Sequence, residues 1–145
     1  MSHTHTIVAH RFVDAPIEEI WRALSEAERL SHWFTSDAEH DFRVGGRYRN
    51  GDGDQGEYLE IIPYERIRFT WEQADYTPGG SVCIDITPAE GENRWSLQMT
   101  HEGVACDDQE DLEIGWNWAL DSLIHFLTTG IGLRFEEWAA LRGMV

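Results

Sequence analysis

The chemistry that this sequence offers centres on His101, which follows Leu97 and Met99 on the apolar side of a strand-like run. An imidazole on such a face can hydrogen-bond a ligand or act as a base near neutral pH. It can equally be a packed histidine that bonds backbone near the start of the next helix, and the sequence leaves both interpretations open. Cys83 lies on the polar side of its strand with no evident base beside it, so a nucleophilic thiol is not expected.

Residues 51–56 match parts of a dinucleotide-binding motif and of a calcium-binding loop, but a hairpin turn explains them better. Residues 51–56 read GDGDQG and fit Gly-x-Gly-x-x-Gly, but a dinucleotide site needs this motif between a strand and a helix. A strand-like run, Glu57–Ile62, follows instead, and the acidic side chains would repel a pyrophosphate. Asp52 and Asp54 also lack the remaining ligands of a calcium loop.

No metal and no cofactor are expected from the other polar residues. The seven histidines form no His-x-x-x-His pair, and the two cysteines form no Cys-x-x-Cys pair. His3 and His5 lie close to the N-terminus, where solvent-exposed side chains are the ordinary case. Cys83 and Cys106 do not make a disulfide framework and fit a reduced chain.

The charge balance disfavours two classes of partner. The 145 residues carry 27 acidic and 11 basic side chains, a formal net charge of −16, and every basic residue is an arginine. Such a surface repels nucleic-acid backbones and anionic membranes. No apolar run approaches the ~18 residues of a membrane span, and residues 1–6 do not resemble a secretory signal, so we expect a cytoplasmic protein.

The elements that must position these residues are short strands joined by tight turns. Ile67, Phe69 and Trp71 alternate with polar residues, which is typical of an antiparallel sheet with one covered face. Turns are predicted at Thr77–Gly80 and at 89–93. The predicted strands are Thr4–Phe12, Ala38–Phe42, Gly46–Arg49, Glu57–Ile62, Arg66–Trp71, Val82–Thr87 and Arg94–His101.

Two short helices are predicted after the first strand. Asp14 is the expected N-cap and Pro16 lies inside the first turn, where both residue types are favoured. Glu18 suits the positive end of the helix dipole. The second short helix is predicted over about Glu26–Leu30.

One long helix is predicted near the C-terminus, over Asp107–Thr128. Trp116 and Leu120 belong to an apolar stripe at three- and four-residue steps, which indicates the face that packs on the sheet. Trp118 lies on the opposite stripe and therefore needs another cover. The amphipathic segment Leu133–Leu141, or a second subunit, is predicted to cover it.

Four stretches, taken in order, carry a resemblance to a known family. Residues 15–34 read APIEEIWRALSEAERLSHWF, and residues 45–71 contain the glycine pair, the hairpin turn and a strand that ends Thr-Trp. Residues 99–103 read MTHEG, and residues 114–123 contain Gly-Trp-x-x-x-Leu-x-x-Leu. Together they resemble the Aha1 C-terminal-domain-like (AHSA1-type, CalC-like) branch of the START/Bet v 1 superfamily, also called SRPBCC.

The resemblance implies an α+β helix-grip fold. A curved antiparallel sheet of six to seven strands would surround the long C-terminal helix, with two short helices near the N-terminus and a cavity between sheet and helix. Residues 1–130 would form a single START-like domain. Residues 131–145 would form an amphipathic tail packed on that domain or on a partner subunit.

This family favours binding of a small hydrophobic or aromatic molecule in the cavity, without catalysis. Tyr58 and His101 would supply polar atoms to the ligand. The expected wall consists of Phe42, Tyr48, Trp71, Trp95, Met99, Trp116, Leu120 and Leu123.

Two other classes of function remain open, as does assembly into a homodimer. Related helix-grip proteins include polyketide cyclases and hydrolases, which would need an ionisable pair in the cavity, and His101 is the candidate base. The family also includes a co-chaperone domain that stimulates Hsp90. An interaction module of that kind would present a large exposed apolar patch.

Overall fold

The protein folds around one seven-stranded antiparallel sheet. The computed structural model describes residues 4–73 and 76–143, with side chains described outside 73–79. The strands are β1 Thr4–Asp14, β2 Glu39–His40, β3 Arg47–Arg49, β4 Gln55–Ile62, β5 Arg66–Gln73, β6 Tyr76–Pro88 and β7 Arg94–Ala105. Their order across the sheet is β1-β7-β6-β5-β4-β3-β2, so β1 and β2 form its two edges.

Helices cover one face of this sheet. Short helices α1 and α2 follow β1, a single turn of 3₁₀-helix at Cys106–Asp108 leads into the long helix α3, and a short helix α4 ends the described chain. The helices are α1 Ile17–Ser25, α2 Ala27–Trp33, α3 Gln109–Thr129 and α4 Phe135–Leu141.

The core lies between the sheet and α3. Leu97 and Met99 on β7 are 1% exposed, and Leu120 and Leu123 on α3 are 5% and 0% exposed. Burying each side chain of this size contributes roughly 1.5–3 kcal/mol to folding. The sheet therefore curves around α3, and the predicted helix-grip α+β fold is confirmed.

The sequence reasoning was wrong at two local features. Asp14 ends β1, while Pro16 is the N-cap residue of α1 and makes no side-chain capping bond. The predicted turn at Thr77–Gly80 lies inside β6, which pairs with β5 from Gln73 and Tyr76 onward. Inter-strand pairing has overridden the turn-forming residue types in that segment.

The segment after α3 lies against α3 and α2. The indole of Trp118 donates to the carbonyl oxygen of Leu133 at 2.6 Å. Trp138 on α4 is 4% exposed, and its Nε1 donates to Asp121 on α3 at 2.9 Å. Gly132 donates its N–H to the carbonyl oxygen of His32 at 3.2 Å.

Asp121 joins this tail segment to both α3 and β1. Its carboxylate accepts hydrogen bonds from Arg11 at 2.8 Å, Trp138 at 2.9 Å and Arg142 at 2.7 Å. Partial burial by itself raises the pKa of Asp121, but the hydrogen bonds from Arg11 and Trp138 outweigh it and lower the pKa below its ordinary value. The ionised carboxylate is therefore the form that the folded state favours.

Gly132→Ala should destabilise the protein, because a methyl group at this position would overlap the carbonyl oxygen of His32. We expect a loss of about 1–3 kcal/mol in the free energy of unfolding, measured by urea denaturation. Gly115→Ala is the matched control, since a methyl group there meets nothing within 4 Å and should stabilise α3 by up to ~1 kcal/mol. Equal stability of both variants and the parent would contradict this account of the tail.

Asp121→Asn should reduce stability at neutral pH and flatten its acid dependence. A carboxyl whose folded-state pKa is lowered stabilises the fold above its unfolded pKa of about 3.9, and this contribution is lost as the pH falls through the folded pKa. We expect a cost of roughly 1.5–3 kcal/mol near pH 7 and a smaller difference near pH 3, by urea denaturation. Asp41→Asn, which loses only an exposed pair with Arg43, is the control, and a similar loss in both variants would argue against the special role of Asp121.

Candidate functional site

Two adjoining spaces lie where α2, α3 and β5 meet. The first, which we call the inner cavity, has a volume of about 50 Å³ and lies between the sheet and the helices. The second, the outer cleft, has a volume of about 200 Å³ and opens beside the first turns of α3. Phe34, Trp71 and Trp116 line both spaces, and we call these three residues the aromatic partition.

The inner cavity is small because aromatic side chains fill most of the interior. Its 50 Å³ compares with about 30 Å³ per water molecule in the liquid and with 300–1,000 Å³ for pockets that hold drug-sized ligands. Tyr48 and Tyr58 are 4% and 3% exposed and occupy the side towards β3 and β4. The lining residues are Leu24, Leu30, Trp33, Phe34, His40, Tyr48, Asn50, Tyr58, Ile67, Phe69, Trp71, Ile84 and Trp116.

The partition is assembled from three separate elements. Phe34 is the C-cap residue of α2, Trp71 is an inward residue of β5, and Trp116 is on the buried stripe of α3. The Phe34 and Trp116 rings lie 5.8 Å apart and nearly parallel, at 14°. The Trp71 and Trp116 rings meet edge to face at 5.0 Å, a favourable geometry for aromatic pairs.

The outer cleft combines aromatic rings with carboxylates. Trp118 extends the aromatic wall, and its ring lies 6.5 Å from Phe34 at 22°. Gly115 on α3 leaves the space beside it open, since an added methyl group would meet nothing within 4 Å. The lining residues are Phe34, Asp52, Asp54, Trp71, Asp111, Leu112, Gly115, Trp116 and Trp118.

His101 lies behind the partition, fully buried. Its Nδ1 accepts a hydrogen bond from Trp116 Nε1 at 2.9 Å, so the proton of the neutral ring lies on Nε2. Burial lowers the pKa of His101 to about 4, which keeps the ring neutral at pH 7. Gly80 makes room for the ring, because a methyl group at 80 would lie 2.8 Å from His101 Nε2.

Three buried side-chain N–H groups lack acceptors within the described part of the chain. They are Nε1 of Trp71, Nε1 of Trp95 and Nε2 of His101. Trp71 is 6% exposed and also lines both spaces. A buried donor without a partner costs about 1–3 kcal/mol, so an acceptor supplied to Trp71 would recover that energy.

A hydrogen-bonded chain runs along the opposite wall of the inner cavity. Tyr58 Oη and His40 Nδ1 lie 2.5 Å apart, and His40 Nε2 and Asn50 Oδ1 lie 2.8 Å apart. Since the amide oxygen only accepts, His40 donates from Nε2, and Nδ1 accepts the proton of Tyr58. Burial lowers the pKa of His40 and raises the pKa of Tyr58, so both groups are neutral.

The structure brings together part of the wall expected from the sequence. Tyr48, Tyr58, Trp71 and Trp116 line the inner cavity. The other proposed contacts do not line either space: Met99, Leu120 and Leu123 are packed core, and Phe42 contacts Tyr58 edge to face at 5.0 Å. The remaining two, Trp95 and His101, lie outside the lining as well.

Several lining residues were not singled out from the sequence. His40 lies on β2, a strand of only two residues, which is too short to show a period. Phe34 follows a helix end, and Asn50 precedes a turn, so no periodic pattern at either position indicates a side chain that faces the interior. Asp52 and Asp54 were interpreted as turn residues, and nothing in the sequence brings them near Asp111.

Metal binding and membrane spanning have no counterpart in the residues that the structure describes. Across 4–73 and 76–143, no group of three His, Cys, Asp or Glu side chains is placed to hold a metal ion. No helix in the same ranges is long and apolar enough to cross a membrane.

The fold and these motifs define a helix-grip protein of the START/Bet v 1 type. The model of the family "Activator of Hsp90 ATPase homolog 1-like protein" matches residues 14–128, and the chain belongs to that family.

Known relatives agree with this assignment. The mouse activator of 90 kDa heat shock protein ATPase homolog 1 is 24% identical over 106 residues, which are 72% of this chain and 31% of the relative. The chain therefore spans about a third of that protein.

Among solved structures, CalU16 from Micromonospora echinospora has a TM-score of 0.76 at 24% identity, covering 97% of this chain and 88% of its own. The Aha1 dimer from Colwellia psychrerythraea has a TM-score of 0.77 at 22% identity, covering 88% of this chain and 99% of its own. Both similarities show the fold.

Proposed function

We propose that the protein binds a small aromatic or apolar molecule in the outer cleft, with access to the inner cavity through the aromatic partition. The observation that supports the proposal most strongly is the environment of the Trp71 side chain. This side chain is 6% exposed, lines both spaces and has an unpaired Nε1 proton. Because that proton is enclosed, a ligand oxygen would reach it only after a ring of the partition moves, and the apolar body of the ligand would contact the same rings.

The glycine at position 115 supports the same proposal. Glycine inside a helix is about 1 kcal/mol less favourable than alanine, and no neighbouring atom requires glycine at this position. Its effect is to leave the mouth of the outer cleft open beside Trp116. We infer that the lower helix stability is tolerated because glycine at this position leaves the partition accessible to a ligand.

The volumes of the two spaces limit the size of the ligand. The outer cleft of about 200 Å³ accepts a compact molecule without rearrangement. A ligand that extends into the inner cavity of about 50 Å³ would require Phe34 or Trp116 to rotate. The proposed contacts are the partition and Trp118, with Tyr48 and Tyr58 reached only after such a rotation.

Binding of 4-tert-butylphenol, followed by quenching of tryptophan fluorescence, tests this proposal. We expect saturable binding to the parent chain and a loss of affinity of about tenfold or more in Gly115→Met, because the new side chain fills the mouth of the cleft. Methionine is a good helix former, so the fold should persist.

Thr128→Met is the matched control for that experiment. It adds the same side chain at an exposed position of the same helix, away from the cleft, and should leave the affinity unchanged. The proposal fails if the parent chain shows no saturable binding, or if Gly115→Met binds as well as the parent.

An enzyme is the second candidate, favoured by the chain of Tyr58, His40 and Asn50. In this arrangement Tyr58 Oη can take a proton from an acidic C–H or O–H of a substrate while its own proton passes to His40 Nδ1. The resulting imidazolium would keep its Nε2 hydrogen bond to Asn50 Oδ1, and the substrate would become an enolate or alkoxide. A 1,3-dicarbonyl compound, as in polyketide chemistry, has such a C–H group.

Deuterium exchange at the central carbon of acetylacetone, followed by proton NMR in D₂O, would test this activity. The relay predicts exchange faster than in buffer with the parent chain, and a return to the buffer rate in Tyr58→Phe and His40→Asn. Gly132→Ala lies outside the cavity and serves as a control for general loss of stability. An exchange rate equal to that of buffer with the parent chain would rule out this reaction for the probe.

Two further proposals concern protein partners of this chain. A homodimer is proposed because the Colwellia relative is described as a dimer and because edge strand β1 exposes Val8 and Phe12 at 56% and 51%. A role with an Hsp90-type partner rests only on the family and on the mouse relative, of which this chain spans about a third. Residues 131–145 as a separate tail and a cytoplasmic location stay predictions.

A further inference from the structure

The free edge of the sheet at β1 is a surface that the proposed ligand site does not use. β1 runs over 11 residues, Thr4–Asp14, and among the described strands it pairs only with β7. Its register with β7 is unbroken from Ile7 to Asp14, and the strand contains neither proline nor lysine. Natural edge strands are usually short or protected by such residues, because an open edge can pair with a further chain.

Alternate residues of β1 direct their backbone groups to the open edge. The carbonyl oxygen of His10 accepts from Nη1 of Arg11, a side chain of the same strand, at 2.8 Å, which indicates that this carbonyl points away from β7. Val8 and Phe12, two residues to either side of His10, have their backbone groups on that same side. A carbonyl oxygen has two lone pairs, so that of His10 can accept an N–H from an added strand as well.

A groove runs beside β1 on the helix-covered side of this edge. Its volume is about 630 Å³, and residues of α3 and α4 line it. Two lining residues fix its place along the strand: Cys106 Sγ lies 3.1 Å from Nε2 of His5, and Asn117 accepts a hydrogen bond from Arg11 at 3.1 Å. We call this space the edge groove.

The edge groove combines apolar and acidic surface. Ile114 and Trp138 supply its apolar part. Glu110 and Glu113 are exposed, and neither has an ion-pair partner in the part of the chain that the structure describes. Arg142, the only basic residue among the described ones that line the groove, is engaged by a carboxylate of α3 at 2.7 Å. The groove therefore presents uncompensated negative charge beside an apolar surface.

A strand added to β1 would bring its side chains to two different surfaces, because successive side chains of a strand point to opposite faces. One set would lie on the outer face beside Val8 and Phe12, which are 56% and 51% exposed. The other set would enter the edge groove. Arginine or lysine suits this second set, since the aliphatic stem covers apolar surface while the charged head reaches Glu110 or Glu113.

We propose that β1 and the edge groove bind an extended segment of another protein in which basic residues alternate with apolar ones. Main-chain hydrogen bonds to the edge supply affinity in this mode of recognition, and the two rows of side chains supply specificity. The net charge of −16 favours such a partner over a second acidic copy of this chain, which the proposed homodimer would place on the same edge. The edge groove shares no lining residue with the outer cleft.

A six-residue peptide that alternates arginine with valine is the probe, and its binding to the full chain is followed by fluorescence anisotropy. A second peptide places three arginines before three valines, so it has the same charge but cannot form the two rows. We expect the alternating peptide to bind about tenfold more tightly. Equal affinity of the two peptides would overturn the proposal, because charge alone would then explain binding.

Val8→Pro tests the backbone part of the site. It removes an N–H that points to the open edge, where proline is tolerated, so the fold should persist while peptide affinity falls about tenfold. Val8→Thr keeps the N–H and is the control, with affinity within about threefold of the parent. Equal binding by Val8→Pro and the parent would contradict strand addition.

Two backbone-methylated peptides replace Val8→Pro if that variant does not fold. One is methylated on the arginine nitrogens and the other on the valine nitrogens. Only one of these sets of N–H groups faces β1 in an added strand. One peptide should therefore lose binding, and equal binding of both would overturn the proposal.

Glu110→Gln with Glu113→Gln tests the acidic part of the site. We expect the affinity for the alternating peptide to fall about threefold or more. Glu90→Gln with Glu92→Gln makes the same change in net charge in the turn between β6 and β7 and should bind like the parent. An equal loss in both double variants would overturn the role of the edge groove.

The remaining outcomes separate this proposal from the others. Binding of neither peptide to the parent chain would overturn it, and native mass spectrometry would then show whether a second copy occupies the edge. Saturable binding of 4-tert-butylphenol should persist in every variant, because the two sites share no lining residue. The proposal for the outer cleft and the proposal for the β1 edge therefore fail separately.

Discussion

The hydrogen bond from Trp116 Nε1 to His101 Nδ1 connects the long helix α3 to strand β7 of the sheet. Its length is 2.9 Å, and both residues are buried, so water cannot replace either partner. It sets the rotation of the Trp116 ring and, through the 5.0 Å and 5.8 Å ring contacts, the positions of Trp71 and Phe34. The division of the interior into an inner cavity and an outer cleft depends on this single bond.

The same bond has a consequence for the chemistry of His101. Since Nδ1 is occupied as an acceptor and Nε2 holds the proton, the ring has no free lone pair with which to act as a base. Burial also lowers its pKa to about 4. His101 therefore serves to position Trp116, whereas the hydrogen-bonded chain of Tyr58, His40 and Asn50 is the arrangement in the inner cavity that could move a proton.

Much of the fold could be predicted because its periodicities are strong. Ile67, Phe69 and Trp71 on β5 and the stripe of Trp116 and Leu120 on α3 indicate their buried faces without knowledge of any partner. The errors arose where tertiary pairing overrode local signals, as in β6, which continues through residues with strong turn preferences. Local residue preferences are weak next to a strand that is paired on both sides.

The candidate site was harder to predict, for a physical reason. His40 and Tyr58 are 18 residues apart and meet across β3, and the carboxylates of the outer cleft come from segments more than 50 residues apart in sequence. Neither group of residues forms a recognisable motif in the sequence. The sequence identified the aromatic character of the interior, but the degree to which those aromatic rings fill it depends on their packing.

The most direct test of the partition is the ¹H–¹⁵N NMR spectrum of the seven tryptophan indoles, recorded during a titration with 4-tert-butylphenol. Binding at the partition predicts that the Nε1 signals of Trp71 and Trp116 shift together and saturate, with the larger change at Trp71, which gains an acceptor. The Nε1 signal of Trp138 on α4, whose indole donates to Asp121 on α3, should not shift. Saturable shifts at Trp138 without shifts at Trp71 would place the ligand elsewhere and contradict the account.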